Sequence, residues 1–549
     1  MKSYVIIKDA EKGLDYRQDY VSLPRNYGSA DYYARPDVAA IKKTVFDALD
    51  ALVQKTGMEK KLAGKPIFVK PNLVSVYHRS GFDEPDYPES TDPRVFDAVI
   101  AYFMQYSSDI TIVESSGKPM PTTLSFKVAG YDRIAKHHGA KLVALELCEV
   151  ERYYLPKAEV MKEIYLPTVL RPIISGDGVY VSVPKLKTNL YTKVTLGSKN
   201  AMGMIPYFLR ERNHNHHIEQ KLADMLYILK PHITVIDGII GGEGNTPAPV
   251  DPVDVGKIIV SDNSAECDRV ATAIMGIAPD TVKLMREMDK RGFGNRNVSI
   301  TGDQTPTPFR PAITSFMDDQ TPQDFPNLLM LAGHTLSGAP AITDIHAVTP
   351  AMALALEQAC TGGCLAASKT GLEYYRYVKS IGRQFHLCVI TGEGVLIDGT
   401  RYWFNRDGKP YSLEDIKNLP MKKYAMGNCA HTVKDLVDYW ADGCCDPVKC
   451  MNRICLAAGK RLPLLTLKNK TSPNIIAGIL NTILVRRRLI KQGRYVDCPL
   501  LHKDEIYPIP PLNAADTEKD FIPAPLPAMT PAEKKAQLKS QWQIMLCAL

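Results

Sequence analysis

Residues 181–217 read VSVPKLKTNLYTKVTLGSKNAMGMIPYFLRERNHNHH, and they join the end of a strand to a basic segment. The preceding run GVYVSVP (178–184) is β-branched and short, which predicts a buried strand. Cations, hydroxyls, amides and glycines alternate directly after it, and three histidines close the segment. A strand end that releases cations and flexible backbone is a common way to build a pocket for an anion. A solvated basic loop is the alternative interpretation.

Short aliphatic strands alternate with helical patterns over the first 300 residues. This alternation predicts a layered α/β domain with a mainly parallel sheet, which we assign to residues 1–304. The predicted strands are 4–7, 67–69, 110–113, 142–145, 179–183, 233–236, 258–260 and 298–301. The predicted helices are 38–54, 93–104, 127–138, 217–229 and 265–275.

The second half of the chain has a different composition. A smaller cysteine-rich α/β domain is predicted at residues 328–465, with helices at 350–377, 430–440 and 447–457 and a strand at 386–390. Residues 466–549 are predicted to form a helical segment, an extended proline-rich tail and a final helix at 531–546. This tail is also the segment through which we expect a homo-oligomer to form.

Composition limits the function classes. The chain has 549 residues, 45% hydrophobic residues and a net charge of +7 that no segment concentrates, so we expect no nucleic acid partner. No window approaches the about 18 uncharged apolar residues of a membrane span. The N-terminus lacks the apolar core of a signal peptide, so a cytoplasmic protein is expected. Twelve cysteines are then expected to be thiols or metal ligands.

Polar residues follow four of the predicted strands. In open α/β sheets, ligands bind at such strand ends. We expect these residues to converge on one pocket that takes an anionic small-molecule substrate or a phosphorylated cofactor. The residues predicted to bind it are Lys70, Asn72, Lys185, Lys187, Asn200, Gly203, Asp237, Gly241 and Gly244.

Four further residues are predicted to be catalytic. His214 and His217 stand at the head of a predicted helix, where a histidine can transfer a proton. Lys199 would supply charge and Glu114, directly after a strand, would supply a carboxylate to the same pocket. For the histidines, exposed loop positions are the alternative.

The cysteines of the second half form the predicted metal centre. Cys429, Cys444, Cys445 and Cys450 are the predicted ligands, because a cubane iron–sulfur cluster needs four thiolates that converge. Either Cys429 or the Cys360/Cys364 pair would complete the set that Cys444 and Cys445 begin. A redox thiol pair and simple burial are the alternatives.

Several segments resemble the family known as domain of unknown function 362. They are VKPNL (69–73), TDP (91–93), ESSG (114–117), VPKLKT (183–188), TLGSKNAMG (195–203), DGI (237–239) with Gly244, and DRVA (268–271) with MG (275–276). The resemblance spans residues 65–280. It implies an α/β domain of bacteria or archaea that is often associated with iron–sulfur centres, and it implies no agreed reaction. The C-x2-C-x2-C-x3-C-P run of members with ferredoxin modules is absent here.

Three functional hypotheses follow. The first is an iron–sulfur oxidoreductase of anaerobic metabolism, with a [4Fe–4S] cluster and a redox partner protein. The second is a racemase or isomerase with a nickel-pincer cofactor, because residues 199–206 (KNAMGMIP) with a later histidine resemble the lactate racemase family. The third is a non-catalytic electron-transfer or maturation partner that binds a protein through its tail.

Overall fold

The computed structural model describes residues 2–74, 88–117, 120–211, 214–215, 217–246, 250–336, 338–359, 363–376, 385–443, 447–460, 472–496 and 509–548. Its strands are β1 Ser3–Asp9, β2 Ile67–Pro71, β3 Ile110–Glu114, β4 Lys141–Ala144, β5 Val150–Tyr154, β6 Glu163–Pro167, β7 Val179–Val183, β8 Lys185–Asn189, β9 Lys193–Thr195, β10 Ile233–Glu243, β11 Asp251–Ser261, β12 Val298–Thr301, β13 Leu328–Ala332, β14 Leu387–Thr391, β15 Val395–Ile397, β16 Thr400–Phe404, β17 Pro410–Ser412, β18 Lys422–Met426, β19 Tyr439–Ala441 and β20 Ile522–Ala524.

The α-helices lie between these strands. They are Ala30–Tyr33, Pro36–Thr56, Glu59–Leu62, Pro93–Phe103, Thr122–Ala129, Tyr131–His138, Arg171–Ser175, Gly197–Asn200, Tyr207–Glu211, Ile218–Met225, Ser264–Ile274, Lys283–Lys290, Thr321–Asp324, Pro350–Gln358, Cys364–Arg376, Leu413–Asn418, Pro447–Ala457, Ser472–Gln492, Ala514–Thr517 and Pro531–Ala548.

The first sheet carries the order β12-β1-β11-β10-β7-β2-β3-β4, with β8 paired to β10 and β9. The strands β10, β7, β2, β3 and β4 pair in parallel, so their carboxyl ends meet at one edge. Strands β1 and β11 pair antiparallel. The predicted layered, mainly parallel α/β domain is confirmed, and each of its eight predicted strands is present.

Both faces of this sheet are covered, which explains why its strands are continuous apolar runs rather than half-polar ones. In β2, Ile67 and Val69 pack into one hydrophobic cluster while Phe68 packs into the cluster on the other face. The helices begin at ordinary caps: Asp92 accepts a hydrogen bond from the Arg94 amide at the head of Pro93–Phe103, with proline at the first turn.

The second sheet has the order β15-β16-β13-β14-β18-β19, with β17 beside β16. Its central strands β13, β14, β18 and β19 are parallel. The helix predicted at 430–440 is wrong: residues Asn428–Val433 form a 3-10 turn and β19 follows. The apolar spacing there suits a helix, but β19 instead pairs with the edge of β18, and Trp440 Nε1 donates to the Gly427 carbonyl at 3.0 Å.

Contacts between remote described segments join the halves of the chain. Asn245, at the end of the glycine-rich segment after β10, donates to Glu373 Oε1 at 2.8 Å and accepts from the Ile313 amide at 2.7 Å. In the tail, β20 pairs antiparallel with β5 of the first half. The final helix packs against Ser472–Gln492, where Lys534 Nζ donates to the Lys491 carbonyl at 2.7 Å. The tail therefore docks on its own chain.

The described residues contain no helix that could span a membrane. None of their helices is both long enough and apolar enough to cross a bilayer.

Candidate functional site

A cavity of about 100 Å³, partly open to solvent, lies at the carboxyl edge of the first sheet. Pro447, Val448 and Met451 of the Pro447–Ala457 helix cover it from the second half of the chain. Clefts between two structural units are a usual place for small-molecule sites. Eight of the predicted site residues line this cavity: Lys70, Asn72, Glu114, Lys187, Lys199, Asn200, Gly203 and His214.

The base of the cavity is a buried ion pair between neighbouring strand ends. Lys70 Nζ donates to Glu114 Oε2, to Asn200 Oδ1 and to the Pro71 carbonyl, each at 2.9 Å. Glu114 also accepts from the Leu73 amide at 3.1 Å and from the Ser115 amide at 2.8 Å. All three protons of this ammonium are thereby used, so Lys70 and Glu114 stabilise each other and shape the cavity.

Gly203 is required by this pair. A β-carbon at position 203 would lie 2.2 Å from Glu114 Oε1 and 2.6 Å from Lys70 Nζ. No side chain fits at those distances, so the predicted importance of this glycine has a steric explanation: its backbone lies directly against the ion pair.

Two other lysines face the cavity with lowered basicity. Burial lowers the pKa of Lys187 to about 7, and its Nζ donates to the Glu89 carbonyl. Burial, followed by the charges of Arg210 and Lys70, lowers the pKa of Lys199 to about 8. In the described part of the chain, no acceptor or carboxylate lies within bonding distance of the Lys199 ammonium. Its positive charge is therefore available to a ligand.

His214 lines the cavity, stacks edge-on with Tyr191 and makes a 2.6 Å hydrogen bond through Nδ1 to Asn215 Oδ1. Burial, and then the charge of Lys199, lowers the pKa of His214 to about 3. At neutral pH such a ring is uncharged and is a weak base. Lys187, by contrast, has a pKa lowered to about 7, close to neutral pH. His217 caps the Ile218–Met225 helix in a left-handed conformation and lies outside the lining.

Other predicted residues lie beside the cavity rather than on it. Lys185 Nζ pairs with Asp237 Oδ2 at 2.9 Å, and both side chains are fully buried. Asp237 also accepts from the Asp92 amide at 2.7 Å, so this pair ties strand ends together. Gly241 lies against Phe309, where a β-carbon would approach to 2.5 Å. Gly244 has φ +96 and makes the turn after β10.

Sequence reasoning missed several lining residues. Thr195 and Thr246 are buried in the wall, and Met451 comes from a helix more than two hundred residues away. Arg210, predicted only as part of the basic run, donates from NH2 to the carbonyls of Ser115 and Ser116 at 2.8 and 2.7 Å. Thr195 could have been found, since it lies within the 181–217 stretch; Met451 carried no sequence signal of this kind.

Described cysteines of the second half lie around Gly427 and on the covering helix. A β-carbon on Gly427 would be 3.1 Å from Cys429 Sγ and 3.5 Å from Cys364 Sγ, so both sulfurs flank one glycine. Cys450 is buried on the Pro447–Ala457 helix, next to the cavity-lining Met451. The predicted ligands Cys444 and Cys445 lie outside the described residues. Within the described chain, no three His, Cys, Asp or Glu side chains are grouped as a metal site.

The chain is similar to known proteins over part of its length. The sequence profile of a family described as a domain of unknown function, DUF362, matches residues 67–273, which confirms the resemblance inferred from the motifs. A thylakoid-associated protein of Synechocystis sp. is 26% identical over 250 residues, which cover 43% of this chain and 71% of that protein. No solved structure is significantly similar to the chain.

Proposed function

We propose that the protein is an oxidoreductase-like enzyme that binds an anionic small molecule or a phosphorylated cofactor in this cavity. The observation that carries the proposal is the balance of charge on the wall. Among the described lining residues, Lys70, Lys187, Lys199 and Arg210 are cationic side chains and Glu114 is a carboxylate. Buried cations without counter-charge are costly, and a bound anion would relieve that cost.

Within this proposal each lysine has a different role. Lys70 is held by Glu114 and keeps the cavity in shape, while Lys199 binds the anionic group of the ligand. Lys187, whose pKa is lowered to about 7 by burial, is suited to exchange a proton with the ligand near neutral pH. His214 would act as a neutral hydrogen-bonding group.

The anion site is tested by the pH dependence of sulfate binding, because sulfate keeps its charge across the range. Lys199 and Lys187, with pKa values lowered to about 8 and about 7, are protonated at pH 6 and lose their charges as the pH rises. We expect affinity to be highest at pH 6 and to fall by up to about tenfold per unit above pH 8. Calorimetric titration from pH 6 to 10 measures this.

The control is Lys193→Met, which removes an exposed lysine of the same segment that lies outside the cavity. Its profile should match the wild type. An affinity that stays constant to pH 9.5 would show that neither lysine binds the anion.

The redox half of the proposal concerns the cysteines. Cys429 and Cys450, with Cys444 and Cys445, are proposed to hold an iron–sulfur cluster that exchanges electrons with a partner protein. Two observations support this: Cys429 and Cys364 converge on Gly427, and the helix that carries Cys450 also covers the cavity. The described residues alone give an incomplete ligand set, so no reaction step is assigned to the cluster.

Metal analysis tests this half. We expect anaerobically purified protein to contain iron and acid-labile sulfide, and Cys429→Ser to lose most of both. Cys388→Ser is the matched control, because Cys388 is fully buried within β14. Equal iron in both variants, or no iron in the wild type, would rule out the cluster. Nickel in place of iron would favour the racemase-like alternative.

The cellular compartment is proposed from the expected redox state of the cysteines. Thiol ligands remain reduced in the cytoplasm, which we propose as the compartment. The Synechocystis relative is named for its association with thylakoids.

A further inference from the structure

We propose that the ligand of this cavity carries, beside its anionic group, an O–H or N–H donor that Asn72 Oδ1 accepts. The ligand class is therefore a small hydroxy- or amino-substituted carboxylate or phosphate, rather than a simple anion. This inference rests on the proposed function, since it describes the molecule that the cavity binds.

The surrounding atoms determine the orientation of the Asn200 side-chain amide. One end of its amide faces the Lys70 carbonyl at 3.2 Å and Ser182 Oγ at 3.0 Å. The carbonyl can only accept, so this end is the NH2 group. The other end is Oδ1, which receives the Lys70 ammonium at 2.9 Å.

The orientation of the Asn200 amide in turn determines that of the Asn72 amide. The atom of the Asn72 amide that contacts Asn200 Oδ1, at 3.2 Å, must be a donor, so it is Nδ2. The Asn72 backbone is held as well, because its amide donates to the Val183 carbonyl at 3.1 Å and to Thr91 Oγ1 at 2.8 Å. The remaining end of the side chain is therefore Oδ1, an obligate acceptor.

Among the described residues, Asn72 Oδ1 has no hydrogen-bond partner. Asn72 is 4% exposed and lines the cavity, and no described residue donates a hydrogen bond to its Oδ1 atom. A buried acceptor without a donor is unfavourable, and native structures rarely leave one. The cavity thus offers a positive group, Lys199, and a lone acceptor within one wall. A ligand with an anion and a donor satisfies both.

Two hydroxyls in the same wall do not determine whether the ligand must carry a donor. Thr195 Oγ1 and Thr246 Oγ1 also have no hydrogen-bond partner among the described residues. A hydroxyl can either donate or accept, so each adapts to the ligand. Asn72 Oδ1 cannot adapt, and it is the atom that selects the donor.

Matched ligand pairs test the inference on the wild-type protein. Lactate is compared with propionate, and glycerol 3-phosphate with propyl phosphate, by calorimetric titration at pH 6.5. In at least one pair we expect the hydroxylated member to bind at least about tenfold more tightly, because its analogue leaves the acceptor unpaired. The pair that discriminates shows whether the anion is a carboxylate or a phosphate.

Variants separate this inference from the function on which it rests. Asn72→Leu, similar in volume but without an acceptor, should bind both members of the pair with the weaker affinity. Lys199→Met should weaken both members equally. Circular dichroism and thermal melting report folding of each variant, and the wild-type comparison decides the matter if Asn72→Leu fails to fold. Binding of all four anions without preference overturns the donor requirement alone. Binding of none overturns both proposals.

Discussion

Lys199→Met is expected to lower the affinity for sulfate at pH 6.5 by about a hundredfold or more and to leave the fold intact. The removed group is the cavity ammonium that lacks a partner among the described residues, so no carboxylate or carbonyl is orphaned by its loss. Arg210 and Lys70 already repel this charge. The free energy of unfolding should therefore stay the same or rise, because a half-buried charge without a counter-ion destabilises the native state.

Two measurements check this result. Calorimetric titration gives the affinity, and urea denaturation without ligand gives the free energy of unfolding. Lys193→Met, which changes charge equally outside the cavity, should alter neither. Wild-type affinity in Lys199→Met would remove the anion site. A large loss of stability in the variant would mean that Lys199 has a structural role instead.

Breaking the Lys70–Glu114 ion pair should have the opposite effect on the stability of the fold. Glu114→Gln leaves the Lys70 ammonium buried without its carboxylate, and we expect it to cost about 3–5 kcal/mol of unfolding free energy. Both side chains are almost fully buried, at 1% and 3% exposure, so water cannot replace the lost charge. Denaturant unfolding of the full chain measures the change.

The exposed pair between Lys141 and Asp109 provides the control. Its ions are 2.7 Å apart but 68% and 45% exposed, so Asp109→Asn should cost less than about 1 kcal/mol. The double variant Lys70→Met/Glu114→Gln should recover part of the loss, because the unpaired ammonium is then absent and the glutamine oxygen can still accept from the Leu73 and Ser115 amides. A cost at Glu114 no larger than at Asp109 would contradict the structural role of the pair.

Lys70 and Lys199 have different roles, although both are cationic residues of the same cavity. Lys70 has three acceptors and Lys199 has none among the described residues, although both line the same cavity. One therefore supports the architecture and the other is available to the ligand. Lys185 and Lys187 also differ, because Lys185 is paired with the carboxylate of Asp237, whereas Lys187 lines the cavity and donates to the Glu89 carbonyl.

Local pattern was a good guide to the first half of the chain. Short β-branched runs such as 67–69 and 110–113 are strands in the structure, because a buried parallel strand needs apolar side chains on both faces. The polar residues after them, Lys70 and Glu114, then meet because neighbouring parallel strands end at the same edge. Where pairing competed with helical spacing, as at 430–440, the pattern was misleading.

Strand β8 shows most clearly what the local sequence pattern does not predict. Lys185–Asn189 was predicted as the start of a polar pocket segment, and it is a buried strand with two lysines on one face. A sequence rarely signals this, since a lysine inside a sheet is tolerated only when a distant residue compensates its charge. Asp237 provides that compensation for Lys185.

Residue pattern alone was enough to identify a parallel α/β sheet and the strand exits that carry its polar residues, because both depend on properties repeated every two to four positions. Which of those charges meets a ligand depended on the folded chain. The free energy of a buried ammonium is set by partners that arrive from remote segments: Asp237 for Lys185, Glu114 for Lys70, and none among the described residues for Lys199. The cover over the cavity, from Pro447 to Met451, is likewise a product of tertiary packing.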